Sequence, residues 1–142
     1  MEFAILWMYF EGQACKAEAN PKRLREFATD VYARKYDLLA RKLDPQIDYF
    51  RQQAPEIKTA PEKFIELLGG PSRISEPDRN NIVNALTKDN IDEVDKAIGL
   101  LLICLRVRNN LFHGAKLIAA LQKQEEAFSH SGQILITLLE AR

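Results

Sequence analysis

Between Arg106 and Lys116 the chain reads "RVRNNLFHGAK", directly after the apolar run "IGLLLICL". These residue types handle anions and protons. A histidine changes charge close to neutral pH, and a guanidinium offers planar, bidentate hydrogen bonds to a phosphate or carboxylate. Counting in helical steps of three and four gives Ile91, Val94, Ile98, Leu101, Leu105, Arg108 and Phe112. All but Arg108 are large and apolar, which predicts the arginine on the inward seam of a packed helix. An arginine placed there must snorkel out, find a buried partner or face a cleft. Such breaks in an apolar pattern concentrate at functional sites.

A plain helix end accounts for the same residues. Helix C-termini favour cations, so Arg106 and Arg108 could satisfy terminal carbonyls, with Gly114 at C′ and His113 as a polar cap. Residues five apart on a continuous helix also point about 140° away from each other. Arg108 and His113 therefore converge on one ligand only if the backbone leaves helical geometry between them. Gly114 makes that exit cheap, and Asn109 and Asn110 tolerate a distorted last turn. Spacing alone leaves both readings open.

The elements that must position this cluster are helical. No stretch sustains the period-two alternation of a strand, and the breakers gather between Pro55 and Pro77. The first helix is expected from Glu2 to Ala19, apolar on most sides of its first half. The second starts at Asn20 as cap with Pro21 in its first turn and reaches Leu43; Pro45 marks a kink or break before "QIDYFRQQ". Short helical pieces are expected at Pro61–Leu68 and Arg79–Thr87. A third long helix starts with Asn90 as N-cap and Glu93 three residues on, a capping-box pattern. The last covers Leu117 to Glu140, with Ser129, Ser131 and Gly132 weakening its middle. The predicted fold is all-α: one domain over residues 1–142, an up-and-down four-helix bundle with a short-helix and loop insertion between the second and third long helices.

Composition narrows the function classes. The 142 residues suffice for one core, and 46% apolar with 28% charged content fits a globular chain. The net charge of zero argues against attachment to nucleic acid through an overall field, though a local patch remains open. One such patch is Leu101 to Lys123, where Arg106, Arg108, Lys116 and Lys123 meet no acid; a second is Pro21 to Lys42, for which a solvated helix face is the simpler reading. Tyr32 and Tyr36 could stack on bases, but packing is the commoner role. Cys15 and Cys104 are too few and too far apart for a metal site or a secreted disulfide scaffold and suit reduced thiols in the cytoplasm. The apolar run Phe3–Phe10 is too short to span a bilayer, and Glu2 stands where a signal peptide would be basic. No metal or cofactor is expected.

"RNNLFHG" resembles the R-x-x-x-x-H motif of the HEPN superfamily (higher eukaryotes and prokaryotes nucleotide-binding), with Arg108, Asn109 and His113 on the motif positions and Gly114 and Lys116 matching the flank of some stand-alone bacterial members. "FAILWMYFEG" is similar to the aromatic-rich first helix of these proteins. The likeness is sharp over the motif and loose over the rest. It implies a small all-α domain that forms a homodimer and cleaves RNA without a metal, as toxins, defence proteins and RNA-processing enzymes of the family do. In that chemistry His113 serves the proton transfers, Arg108 holds the phosphate and stabilises its developing charge, and Asn109 positions either the phosphate or the histidine. Lys116, Arg106 and Asn110 would contact the RNA. A two-fold dimer would bring two copies of Arg108 and His113 to one groove, since the other histidine, His130, is expected on a polar surface. Ala115 stands where members controlled by a nucleotidyltransferase carry a tyrosine, so that control is not expected, and any antitoxin partner is left open. The alternative is a non-catalytic helical module that binds a nucleotide or a protein, with Arg108 and His113 only ending a helix.

Overall fold

Two helix starts follow directly from local chemistry. Asn20, extended at φ −143°, accepts the Arg23 N–H on its side chain at 2.9 Å, with Pro21 at the first helical position. Ser75 accepts the Asp78 N–H in the same way. In this computed structural model, which describes residues 2–69, 74–112 and 124–142, the described residues form seven helices and no strand. They are α1 (Glu2–Ala14), α2 (Pro21–Leu39), α3 (Asp44–Gln53), α4 (Pro61–Gly69), α5 (Glu76–Thr87), α6 (Glu93–Phe112) and α7 (Gln124–Ala141). The all-α expectation holds.

Several boundaries differ, each for a visible reason. α1 stops at Ala14 rather than Ala19 because Lys16 and Ala17 turn left-handed (φ 53° and 65°). The Ala17 N–H then closes on the Glu11 carbonyl, and the Glu11 carboxylate takes the Ala19 N–H at 2.9 Å. The Arg23 guanidinium finishes the cap on the Cys15 carbonyl. No glycine signals this stop. α2 kinks at Lys35 and ends at Leu39, with Arg41 left-handed (φ 64°) before α3 begins at Asp44. The capping box expected at Asn90 is absent: α6 starts at Glu93, and the Glu93 carboxylate accepts the Arg41 N–H and the Lys96 ammonium instead. Residues 117–123, where the last helix was expected to begin, lie outside the described residues.

α6 is the central element, touched by α2, α3, α4, α5 and α7. All nine residues from Ala97 to Leu105 are buried, which is why "IGLLLICL" is apolar on every side. α5 lies so close that a Cβ on Gly99 would stand 2.4 Å from the Ala85 Cβ and 2.9 Å from the Asn81 carbonyl oxygen. α5 is therefore part of the core and not a peripheral insertion. On the other flank Phe3 stacks on Phe128 at 5.8 Å, Gly132 faces Leu6, and Arg142 bonds the Gln13 carbonyl. α1 and α7 thus run in the same direction, a departure from the alternation that an up-and-down arrangement imposes on its first and fourth helices. The aromatic chain Phe3, Trp7, Phe10, Phe27 fills the space between α1, α2 and α7.

Candidate functional site

The site begins where the burial of α6 changes character. Beyond Leu105, Val107 remains fully buried while Arg106, Arg108 and Asn109 are half-buried. The buried stripe runs through Leu100, Ile103, Cys104 and Val107, whereas Ile98 and Leu105 retain 7% and 8% exposure. Leu101, the step between them, is fully buried, and Arg108 itself is half-buried. A half-buried position lets the aliphatic stem of an arginine pack while the guanidinium reaches a more polar boundary. There Arg108 Nη1 donates to Asn109 Oδ1 at 3.1 Å.

Arg106 takes a different direction. Two residues apart on a helix point about 160° from each other by the shorter way round, so the two arginines lie on nearly opposite sides of α6. Arg106 comes under the influence of Asp78 on α5; burial pulls its pKa down from the ordinary value and the Asp78 charge opposes that pull. Asp78, only 5% exposed, also receives Arg25 Nη2 at 2.6 Å, and the same nitrogen reaches Asn81 Oδ1 at 2.6 Å. A buried carboxylate thus ties α2 to α5 beside the last turns of α6. Sequence reasoning missed Arg25, Asp78 and Asn81. Asp78 falls just before the helical piece expected from Arg79, and nothing local links it to an arginine 53 residues away.

Among the expected site residues, the structure describes Arg106, Arg108 and Asn109 with their side chains. Arg108 and Asn109 meet; Arg106 turns towards α5. His113, Gly114, Ala115, Lys116 and Lys123 lie outside the described residues, as does the side chain of Asn110. The basic stretch on α2 is partly spoken for: Arg23 caps α1, Arg25 holds Asp78, and Arg34 pairs with Asp30 at 2.8 Å. Tyr32 is buried and Tyr36 exposed, so only the latter has a face open to a base.

His130 is half-buried, beside the exposed Ser129. Its ring stacks on Tyr49 of α3, centroids 4.0 Å apart and planes within 15°. Burial lowers its pKa, with the nearby Glu126 acting in the opposite sense. Cys15 and Cys104 are free and buried, and burial pushes the Cys15 thiol up to about 11 and the Cys104 thiol up to about 12. Among the described residues no group of three His, Cys, Asp or Glu side chains could hold a metal ion, and no helix is long and apolar enough to cross a membrane. No family model, curated protein or solved structure matches the chain.

Proposed function

We propose that this chain is a metal-independent endoribonuclease of the HEPN type, toxin- or defence-like and cytoplasmic, acting as a homodimer with a composite site. The observation that carries the reading is the half-buried Arg108 in the last turns of α6, its guanidinium steadied by Asn109 within a motif that continues to His113. In the reaction a base removes the proton of a ribose 2′-OH, the 2′-oxygen attacks the adjacent phosphorus, and the 5′-oxygen leaves with a proton from an acid. The products are a 2′,3′-cyclic phosphate and a 5′-hydroxyl. His113 supplies the proton transfers, its partner-subunit copy completing the acid–base pair. Arg108 binds the phosphate and stabilises the phosphorane, and Asn109 orients the guanidinium. Lys116, Arg106 and Asn110 contact the RNA strand, and a cognate antitoxin would regulate the activity.

One observation favours a second reading. Arg108 already has a side-chain acceptor in Asn109, an arrangement that also suits a helix end in a non-catalytic module binding a nucleotide or protein.

The test is RNA cleavage in excess chelator by the wild type beside Arg108→Ala and His113→Ala. The ribonuclease reading expects cyclic phosphate ends from the wild type and a loss of at least about a hundredfold in each variant. A folded wild type that leaves diverse RNAs intact supports the binding module.

A further inference from the structure

Asp92 stands at the cap position of α6 but does not cap it. Its carbonyl accepts the Lys96 N–H at 3.1 Å, while its exposed carboxylate makes no hydrogen bond or ion pair among the described residues. An aspartate at that position normally turns its side chain onto the first N–H groups of the helix. This one borders a groove of about 340 Å³ between α2 and the start of α6, which Thr29, Tyr32, Tyr36 and Glu93 also line. Three carboxylates, those of Asp44, Asp92 and Glu93, gather at this end of α6. The Lys96 ammonium is held by Asp44 and Glu93 at 3.3 and 3.2 Å, and the Arg34 guanidinium is taken by Asp30. The charge of Asp92 is left over at the edge of the groove.

The floor of the groove adds a second, independent feature. Tyr32 is only 4% exposed, and its hydroxyl has no hydrogen-bond partner. Burial, then the Glu93 and Asp44 carboxylates and the Tyr36 phenol, push its pKa up, so it stays a neutral phenol. Glu93 and Tyr36 line the same groove, which sets the orphan oxygen beneath it. A buried polar group without a partner costs free energy. An oxygen set among carboxylates is best matched by a cationic N–H, which brings a donor and a compensating charge together. Tyr36, one turn further along α2, is 52% exposed and offers an aromatic face. α2 kinks at Lys35, between the two tyrosines, so the Tyr36 ring can turn over an entering group. A guanidinium meets all three demands. Its edge donates to a carboxylate and to a phenol oxygen while its flat face stacks on an aromatic ring.

We infer that the groove between α2 and the start of α6 binds an alkylguanidinium cation, with Asp92 as its counter-charge, Tyr36 stacked on its face and the Tyr32 hydroxyl accepting one of its N–H groups. The groove lies roughly 24 Å along α6 from Arg108, so it is separate from the site of the proposed reaction and does not depend on that reading. The experiment is isothermal titration of the full chain with n-butylguanidinium, with its neutral isostere n-butylurea and with acetyl-arginine amide, amide NMR shifts locating the contact. The guanidinium should bind and shift the amides of Tyr36, Asp92 and Glu93, and the urea should not bind. Asp92→Asn should weaken binding about tenfold and Tyr36→Ala about fivefold; both positions are exposed. Tyr32→Phe removes only an unpartnered hydroxyl. It should leave the melting temperature unchanged or higher and still weaken binding about fivefold. A tighter complex with acetyl-arginine amide than with butylguanidinium assigns the groove to an arginine side chain of a partner protein, and a weaker one assigns it to a small cation. No binding in the millimolar range, equal binding of butylurea, or an affinity indifferent to the three substitutions overturns the inference.

Discussion

Asp78 shows how much one side chain can decide without appearing in any motif. It is nearly buried, and its carboxylate holds Arg25 at 2.6 Å while lying close enough to Arg106 to offset part of the cost of burying that guanidinium. Asp78→Ala leaves the partly buried Arg25 with Asn81 as its acceptor but no counter-charge, and should destabilise the fold by about 2 kcal/mol, read as a lower urea midpoint. Asp78→Asn, which keeps a hydrogen-bonding oxygen, should cost less. The thiols give a pH-dependent counterpart. Cys15 and Cys104 ionise at about 11 and about 12 in the fold against an ordinary 9.0. The folded state thus favours the protonated thiol, and the stability it contributes is complete below pH 9 and is lost as pH rises from there towards 11 to 12. The urea midpoint should fall over that interval. Both thiols should also resist alkylation at pH 8 until the chain is unfolded, whereas fast labelling of the native protein would contradict the burial.

At the scale of elements, two glycines set the distances between helices and predict opposite outcomes on substitution. Gly99 lets α5 close on α6, where an added methyl would meet the Ala85 Cβ and the Asn81 backbone, neither of which can move without the helix. Gly99→Ala should lower stability by about 2 kcal/mol even though alanine is the better helix former by about 1 kcal/mol. At Gly132 the nearest atom is the flexible end of Leu6 at 3.3 Å. Gly132→Ala should therefore be neutral or stabilising by up to about 1 kcal/mol. Thermal melts of both variants check the pair. In the sequence Gly132 looked like a weak point of the last helix, and in the fold α7 runs straight through it. The end of α1 was hidden for a related reason. Its stop is made by left-handed Lys16 and Ala17, held by Glu11 and Arg23, and those residue types carry no stop signal of their own.

For the molecule as a whole, the pairing in the proposed function would couple stability to concentration. A dimer that forms only from folded chains raises the melting temperature as protein concentration increases. Under that proposal wild type should show the rise in thermal melts taken across a range of protein concentrations. A flat wild-type profile would speak against pairing. The same architecture explains the form of α6. A helix contacted by five others has no exposed face over nine residues, so periodicity fades there and reappears only at Arg106.

The sequence determined the helical class, the cap at Asn20, the short helices of the middle region and the polar cluster in the last turns of α6. Each rests on interactions within a few residues, which composition and spacing record directly. Tertiary structure decided the rest. It left Arg108 half-buried, because how far a side chain of α6 is covered depends on five neighbours packing against it. It stacked His130 on Tyr49, joined Arg25 to Asp78 across 53 residues, and set α1 parallel to α7. These are contacts between segments far apart in the chain, and no local pattern encodes which distant partner a side chain will meet.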